Sequence, residues 1–219
     1  VAQLVSIPLD NDGMQTELLE ETLLRVAVSG RRVKFIYTIP TFQNPSGCTL
    51  SLERRRALLE IATRYGVPVV EDDAYGELRY SGVSLPLLKS LDQSENVIHL
   101  GTFSKVFSPG VRLGWFVASP GVVQKAILFK QGSDQCSGSL VQLMAMEYGK
   151  RGLIEKQITV TVEGLIRKGR ATLDALQRCF PEGSTWTVPE GGFYTWATVP
   201  GDVDTVALLP RAVEESKVA

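Results

Sequence analysis

Val97-Ile98-His99-Leu100-Gly101-Thr102-Phe103-Ser104-Lys105 decides the fold. A short apolar, β-branched run changes within two residues to small and polar side chains and ends on a lysine. A strand buried on both faces of a sheet gives such a nearly continuous apolar run. The polar residues then stand at its carboxyl end, where open α/β sheets bind ligands. The pattern recurs twice upstream. Phe35-Ile36-Tyr37 runs into Thr38-Ile39-Pro40-Thr41-Phe42-Gln43-Asn44-Pro45-Ser46-Gly47, and Val67-Pro68-Val69-Val70 ends in Glu71-Asp72-Asp73-Ala74-Tyr75.

Working outward, strands are expected over Ala2–Ile7, Lys34–Thr38, Pro68–Glu71, Val97–Gly101 and Trp115–Ala118. Amphipathic stretches between them predict helices over Glu17–Val28, Leu52–Tyr65 and Val122–Gly149. Ser51 is a suitable N-cap for the second helix. Strands alternating with helices predict an α/β fold with a mainly parallel sheet. From Leu153 to Cys179, Ile154, Ile158, Val162, Leu165, Leu173 and Leu176 recur at a helical period. Pro181-Glu182-Gly183 then breaks the chain. Thr185–Val188 and Phe193–Val199 read as two strands, and a helix follows over Asp204–Glu215. A second, smaller α+β unit is therefore expected from residue 155, dividing the chain into 1–154 and 155–219.

The 219 residues are 44% hydrophobic and 21% charged, an ordinary balance for a globular protein. A net charge of −1 argues against nucleic acid or an anionic membrane as a partner held by bulk electrostatics. Cys48, Cys136 and Cys179 are scattered without a C-x-x-C pair, which fits reduced thiols and a cytoplasmic location. No apolar run approaches the roughly 18 residues of a membrane span. The N-terminus lacks the basic segment of a signal peptide and opens without methionine in a β-prone run.

Several common chemistries find no motif. No G-x-G-x-x-G follows a strand, and no G-x-S-x-G is present. Gly164 and Gly169 have P-loop spacing but continue into Arg170-Ala171 within a helix, a chance match. His99 is the single histidine and reads as a core or sheet-face residue.

What remains is the set of strand ends. Each part has a bland reading: Asn44-Pro45-Ser46-Gly47 as a turn, Asp72 as a helix cap, and Lys105 and Arg112 as solvated charges. A parallel sheet, however, would bring an amide, a carboxylate, a phenol, two hydroxyls and an amine to one crevice.

Gly101-Thr102-Phe103-Ser104-Lys105-Val106-Phe107-Ser108-Pro109-Gly110-Val111-Arg112-Leu113-Gly114-Trp115 resembles the lysine segment of class I aminotransferases of fold-type I. The nearest branch holds 2-aminoadipate and kynurenine aminotransferases and the aminotransferase-like domains of certain bacterial regulators. Pro40–Gly47 and Glu71–Tyr75 match that branch in type, order and separation. Pro189-Glu190-Gly191-Gly192-Phe193-Tyr194-Thr195-Trp196 resembles its small-domain strand pair.

The resemblance, which spans nearly the whole chain, implies a three-layer α/β/α large domain with part of a small α+β domain. It implies pyridoxal 5'-phosphate as cofactor and Lys105 as the residue that forms its Schiff base and then shuttles protons. Asp72 would pair with the pyridine nitrogen. Asn44 and Tyr75 would hydrogen-bond the phenolic oxygen, and Asn44 would also touch the substrate carboxylate. Thr102, Ser104 and Arg112 would hold the phosphate, Thr102 keeping the hydroxyl of the family's usual serine. Phe103 and Trp115 are expected to pack.

Family elements with no counterpart here are a glycine-rich phosphate-binding segment, a ring-stacking aromatic and a carboxylate-binding arginine. Arg211 lies in the wrong context for the last. The chain is thus expected to be an interior section of a longer enzyme and inactive alone. The implied reaction is amino transfer from an L-amino acid to a 2-oxo acid by a homodimer. The alternatives are an effector domain of a transcriptional regulator or another fold-type I reaction such as β-elimination. Substrate specificity stays open among aromatic, branched-chain and 2-aminoadipate compounds.

Overall fold

The computed structural model describes residues 2–217. Val1, Val218 and Ala219, at the ends of the two expected units, lie outside the described residues. A short hairpin, β1 (Leu9–Asp10) with β2 (Gly13–Met14), leads into helix α1 (Thr16–Val28). Strand β3 (Ile36–Thr38), helix α2 (Leu52–Tyr65), strand β4 (Val69–Asp73), the short helix α3 (Leu88–Leu91) and strand β5 (Val97–Thr102) follow. A 3₁₀ turn (Pro109–Val111) precedes strand β6 (Gly114–Val117). Helices α4 (Pro120–Ser133), α5 (Ser139–Lys150) and α6 (Leu153–Cys179) come next. The chain closes with strands β7 (Thr185–Trp186) and β8 (Ala197–Thr198) and helix α7 (Thr205–Ser216).

The fold is α/β with a mainly parallel sheet, as the sequence predicts. Its strand order is β3-β4-β5-β6, parallel except for the β5–β6 pair. Ile36 pairs with Val69 and Val69 with Val97, so β3, β4 and β5 point their carboxyl ends the same way. Side chains alternate between faces. Ile36, Val69 and Val97 pack with Leu19, Leu23, Leu58, Ile61 and Leu88 from α1, α2 and α3 into the main core. Tyr37, Val70, Asp72, Ile98, Leu100 and Phe116 fall on the opposite face, which is only partly covered.

Local chemistry explains the boundaries. Ser51 caps α2, its hydroxyl accepting from the Arg54 amide, and Gly66 closes the helix in the left-handed conformation. The Asp204 carboxylate caps α7 through the amides of Val206 and Ala207. The buried Arg55 guanidinium donates to the carbonyls of Leu50, Pro86 and Pro40 and to the Thr41 hydroxyl, at 2.9–3.0 Å. It ties α2 to the loop after β3.

Three expectations need correction. Ala2–Ile7 is no strand: it has β propensity but no neighbouring strand to satisfy its backbone groups, and Leu4 is exposed. The helix expected over Val122–Gly149 is two helices, α4 and α5. Gly132, Ser133 and Asp134 supply poor helix formers, Gln135 turns left-handed at φ 63°, and Lys130 Nζ closes α4 on the Asp134 carboxylate at 2.9 Å. Finally, the strands over 185–188 and 193–199 shrink to two residues each, because only Thr185–Thr198 and Trp186–Ala197 pair. No described helix is long and apolar enough to cross a membrane.

Candidate active site

The parallel register sets the site. Asp72 pairs with Leu100 and Asp73 with Gly101, so the acidic end of β4 lies beside the start of the Thr102–Lys105 segment. The loop after β3 joins them from the other side. These are the three strand ends singled out in the sequence.

Asn44 Nδ2 donates to the Tyr75 hydroxyl at 3.4 Å. Tyr75 is buried, and burial followed by the Tyr194 hydroxyl pushes its phenol up to about 12, so it is a neutral O–H group at physiological pH. The Lys105 ammonium lies 5.9 Å from the centre of the Tyr75 ring and 5.8 Å from that of Phe193, within cation–π range. Lys105 makes no hydrogen bond or ion pair with a described residue.

On the same turn, Thr102 Oγ1 accepts from the Ser104 amide at 3.1 Å, and an Arg112 guanidinium nitrogen reaches Ser104 Oγ at 3.4 Å and Pro109 O at 3.0 Å. Arg112 is left-handed at φ 50°, which folds its side chain back over the turn. Two hydroxyls and a guanidinium thus gather within one loop, a donor set suited to an anion.

The Asp72 carboxylate is already engaged within the chain: Tyr37 donates to its Oδ2 at 2.6 Å. Behind it, on the core face, Glu71 is fully buried. It accepts from His99 Nδ1 at 2.9 Å and from the amides of Leu88 and Lys89 at 2.7 and 3.0 Å. The single histidine is therefore a core residue, as read. Burial pushes the carboxyl of Asp73 up.

Sequence reasoning passed over Tyr37, Phe193 and Tyr194, each taken as strand. Tyr194 meets Tyr75 hydroxyl to hydroxyl at 3.5 Å, and the Phe193 and Tyr194 rings each stand T-shaped to the Tyr75 ring. They arrive there because the arm from Pro189 is pinned down. Glu190 O accepts from the Tyr80 and Ser81 amides, Gly192 N donates to Leu78 O, and Glu190 pairs with Arg79 at 2.7 Å. Gly191 sits so close to Phe42 that a Cβ would lie 2.1 Å from its ring. Gly47, at φ 73°, abuts the Tyr194 carbonyl, and Thr187 Oγ1 donates to Ser46 O at 2.7 Å. The doublet Gly191-Gly192 ahead of two aromatics was the available signal. Trp115 lies in β6 against Gly101 but is half exposed, less buried than expected. Phe103 lines a groove with Met146 and Ile154 from α5 and α6, a packing role.

The sequence pattern described as aminotransferase class I and II matches residues 2–219. The chain belongs to the class I and II aminotransferase family. Within it, the chain is 44% identical over 211 residues to aromatic-amino-acid aminotransferase 1 of Thermococcus litoralis, covering 96% of this chain and 51% of that protein. It is 33% identical over 196 residues to a helix-turn-helix-type transcriptional regulator of Bacillus subtilis, covering 90% and 40%. Among solved structures, kynurenine aminotransferase of Pyrococcus horikoshii superposes with a TM-score of 0.92 at 45% identity, over 96% of this chain and 52% of that one. That crystal holds PMP with kynurenine as substrate. The chain spans about half the length of the curated relatives it matches.

Proposed function

We propose that the protein carrying this chain is a pyridoxal-phosphate-dependent aminotransferase that moves an amino group from an L-amino acid to a 2-oxo acid. The observation that carries the reading is the Lys105 amine, free of charge partners, beside Tyr75 and one strand from Asp72. The donor set suits pyridoxal phosphate, with hydroxyls and a guanidinium for its phosphate, a carboxylate for its ring nitrogen, and an amide–phenol pair for its phenolic oxygen. When bound, the coenzyme supplies an electron sink that eases removal of the substrate's α-proton.

The chain's own residues do the rest. Lys105 would hold the coenzyme through its amine, and the same amine would carry the proton to and from the substrate's α-carbon. Asp72 keeps the ring nitrogen charged. Tyr75, a neutral phenol, donates with Asn44 to the oxygen beside the lysine. Asn44 also reaches the substrate carboxylate. Thr102, Ser104 and Arg112 grip the phosphate, Arg112 with a guanidinium fork. Residues 1–154 serve as the coenzyme-binding domain and 155–219 as a linking helix and part of a small domain. We place the protein in the cytoplasm as a homodimer, with no nucleic-acid partner within residues 1–219 and no membrane partner. The higher identity to the aminotransferase than to the regulator supports an enzyme over an effector domain.

Incubating the full-length protein with pyridoxal phosphate tests this reading. An absorbance band at the edge of the visible is expected, lost in Lys105→Ala. Asp72→Ala keeps the band and slows transamination about a hundredfold or more, the scale of removing one preorganised electrostatic contributor. Retention of the band without Lys105, or full turnover without Asp72, overturns it.

A further inference from the structure

We infer that Tyr37 is a positioning residue for Asp72, holding one carboxylate oxygen so that the other is presented in a fixed direction. The inference rests on the proposed function and deepens it. Tyr37 pairs with Val70 in the β3–β4 register, so Asp72 is its diagonal neighbour, two residues further along β4 on the same face. Diagonal neighbours stand within reach of a long aromatic side chain. The phenol donates to Oδ2 at 2.6 Å, the separation of a hydrogen bond from a hydroxyl to a carboxylate. Oδ1 receives no hydrogen bond from a described residue.

The terminal torsion of an aspartate is soft, with a broad two-fold profile. An untethered Asp72 would therefore spread its charge over many directions. A tether on one oxygen fixes the carboxylate plane, and pairing with a ring nitrogen is directional. The donor also stays in place across working pH: burial, and then the hydrogen bond to Asp72, raise the Tyr37 phenol well above its ordinary value.

The test is a double-mutant cycle in the full-length protein, read as the dissociation constant for pyridoxal phosphate by equilibrium titration. Tyr37→Phe removes only the hydroxyl. It is expected to weaken coenzyme binding about tenfold, the scale of one hydrogen bond to a charged group. In an Asp72→Ala background the same substitution should change binding less than twofold. Thermal unfolding of the coenzyme-free variant should match the parent, since the ring remains. Binding unchanged in Tyr37→Phe overturns the inference. So does an equal loss in both backgrounds, which would mean that the hydroxyl acts through packing. The Lys105→Ala spectrum judges the coenzyme reading separately: that reading can fail on Lys105 while the 37–72 coupling still stands. If pyridoxal phosphate does not bind at all, both fall.

Discussion

Arg55 shows how a single residue can hold a loop in place from behind. Its guanidinium is fully buried and meets four oxygens, among them those of Pro40 and Thr41 just before Asn44. Arg55→Met would fill the volume but orphan those acceptors. A loss of about 3 kcal/mol or more is expected in urea unfolding, because each stranded buried acceptor costs roughly 1–3 kcal/mol. His99 gives a pH signature. The hydrogen bond to Glu71 raises its imidazole above the ordinary 6.5. A raised basic group stabilises the fold fully below its unfolded value and loses that contribution as pH climbs through the folded one. Stability should therefore decline above pH 6.5, by at most about 1.4 kcal/mol per pH unit from this group. His99→Gln should flatten that decline when chemical denaturation is followed from pH 6 upward. An undiminished slope would assign it elsewhere.

Among the elements, the arm that carries Phe193 and Tyr194 depends on a residue with no side chain. Gly191→Ala would drive a Cβ to 2.1 Å from the Phe42 ring and 2.7 Å from Leu78 O. Overpacking of this kind costs about 1–3 kcal/mol, and amide exchange at Tyr80 and Gly192, whose bonds pin the arm, should accelerate. The same elements mark what a sequence can tell. Helix α2 was legible to the residue because Ser51 and Gly66 punctuate it. The polar ends of β3, β4 and β5 were legible because each is local, an apolar run followed at once by unusual side chains. Register is not local. A tyrosine such as Tyr37 sits equally well in any strand, and only the pairing with Val70 shows that it reaches Asp72. Likewise, apolar periodicity carried across 122–149 concealed the Gln135 turn. Strand propensity at Phe193 and Tyr194 concealed an arm that is held by contacts with residues 78–81 far away in the chain.

As a whole molecule, the chain exposes 14441 Å² at a mass of 24.0 kDa. A compact monomer of that mass would expose about 9,900 Å². The surplus is larger than the roughly 1,600 Å² of a standard protein interface. Phe129, Leu128, Leu140, Leu143 and Trp196 are among the uncovered apolar side chains. With a net charge of only −1 there is little repulsion to keep copies apart. The 219-residue polypeptide produced by itself should bind apolar dyes and scatter light as an associated species; a monodisperse 24.0 kDa particle that excludes dye would refute this. The loop bearing Asn44 is latched to the far end of the chain, Ser46 to Thr187 and Gly47 to the Tyr194 backbone. Any swing of that distal piece would drag the Asn44 amide with it, so on the proposed function opening the doorway and loosening the grip on the coenzyme would be one motion on one hinge.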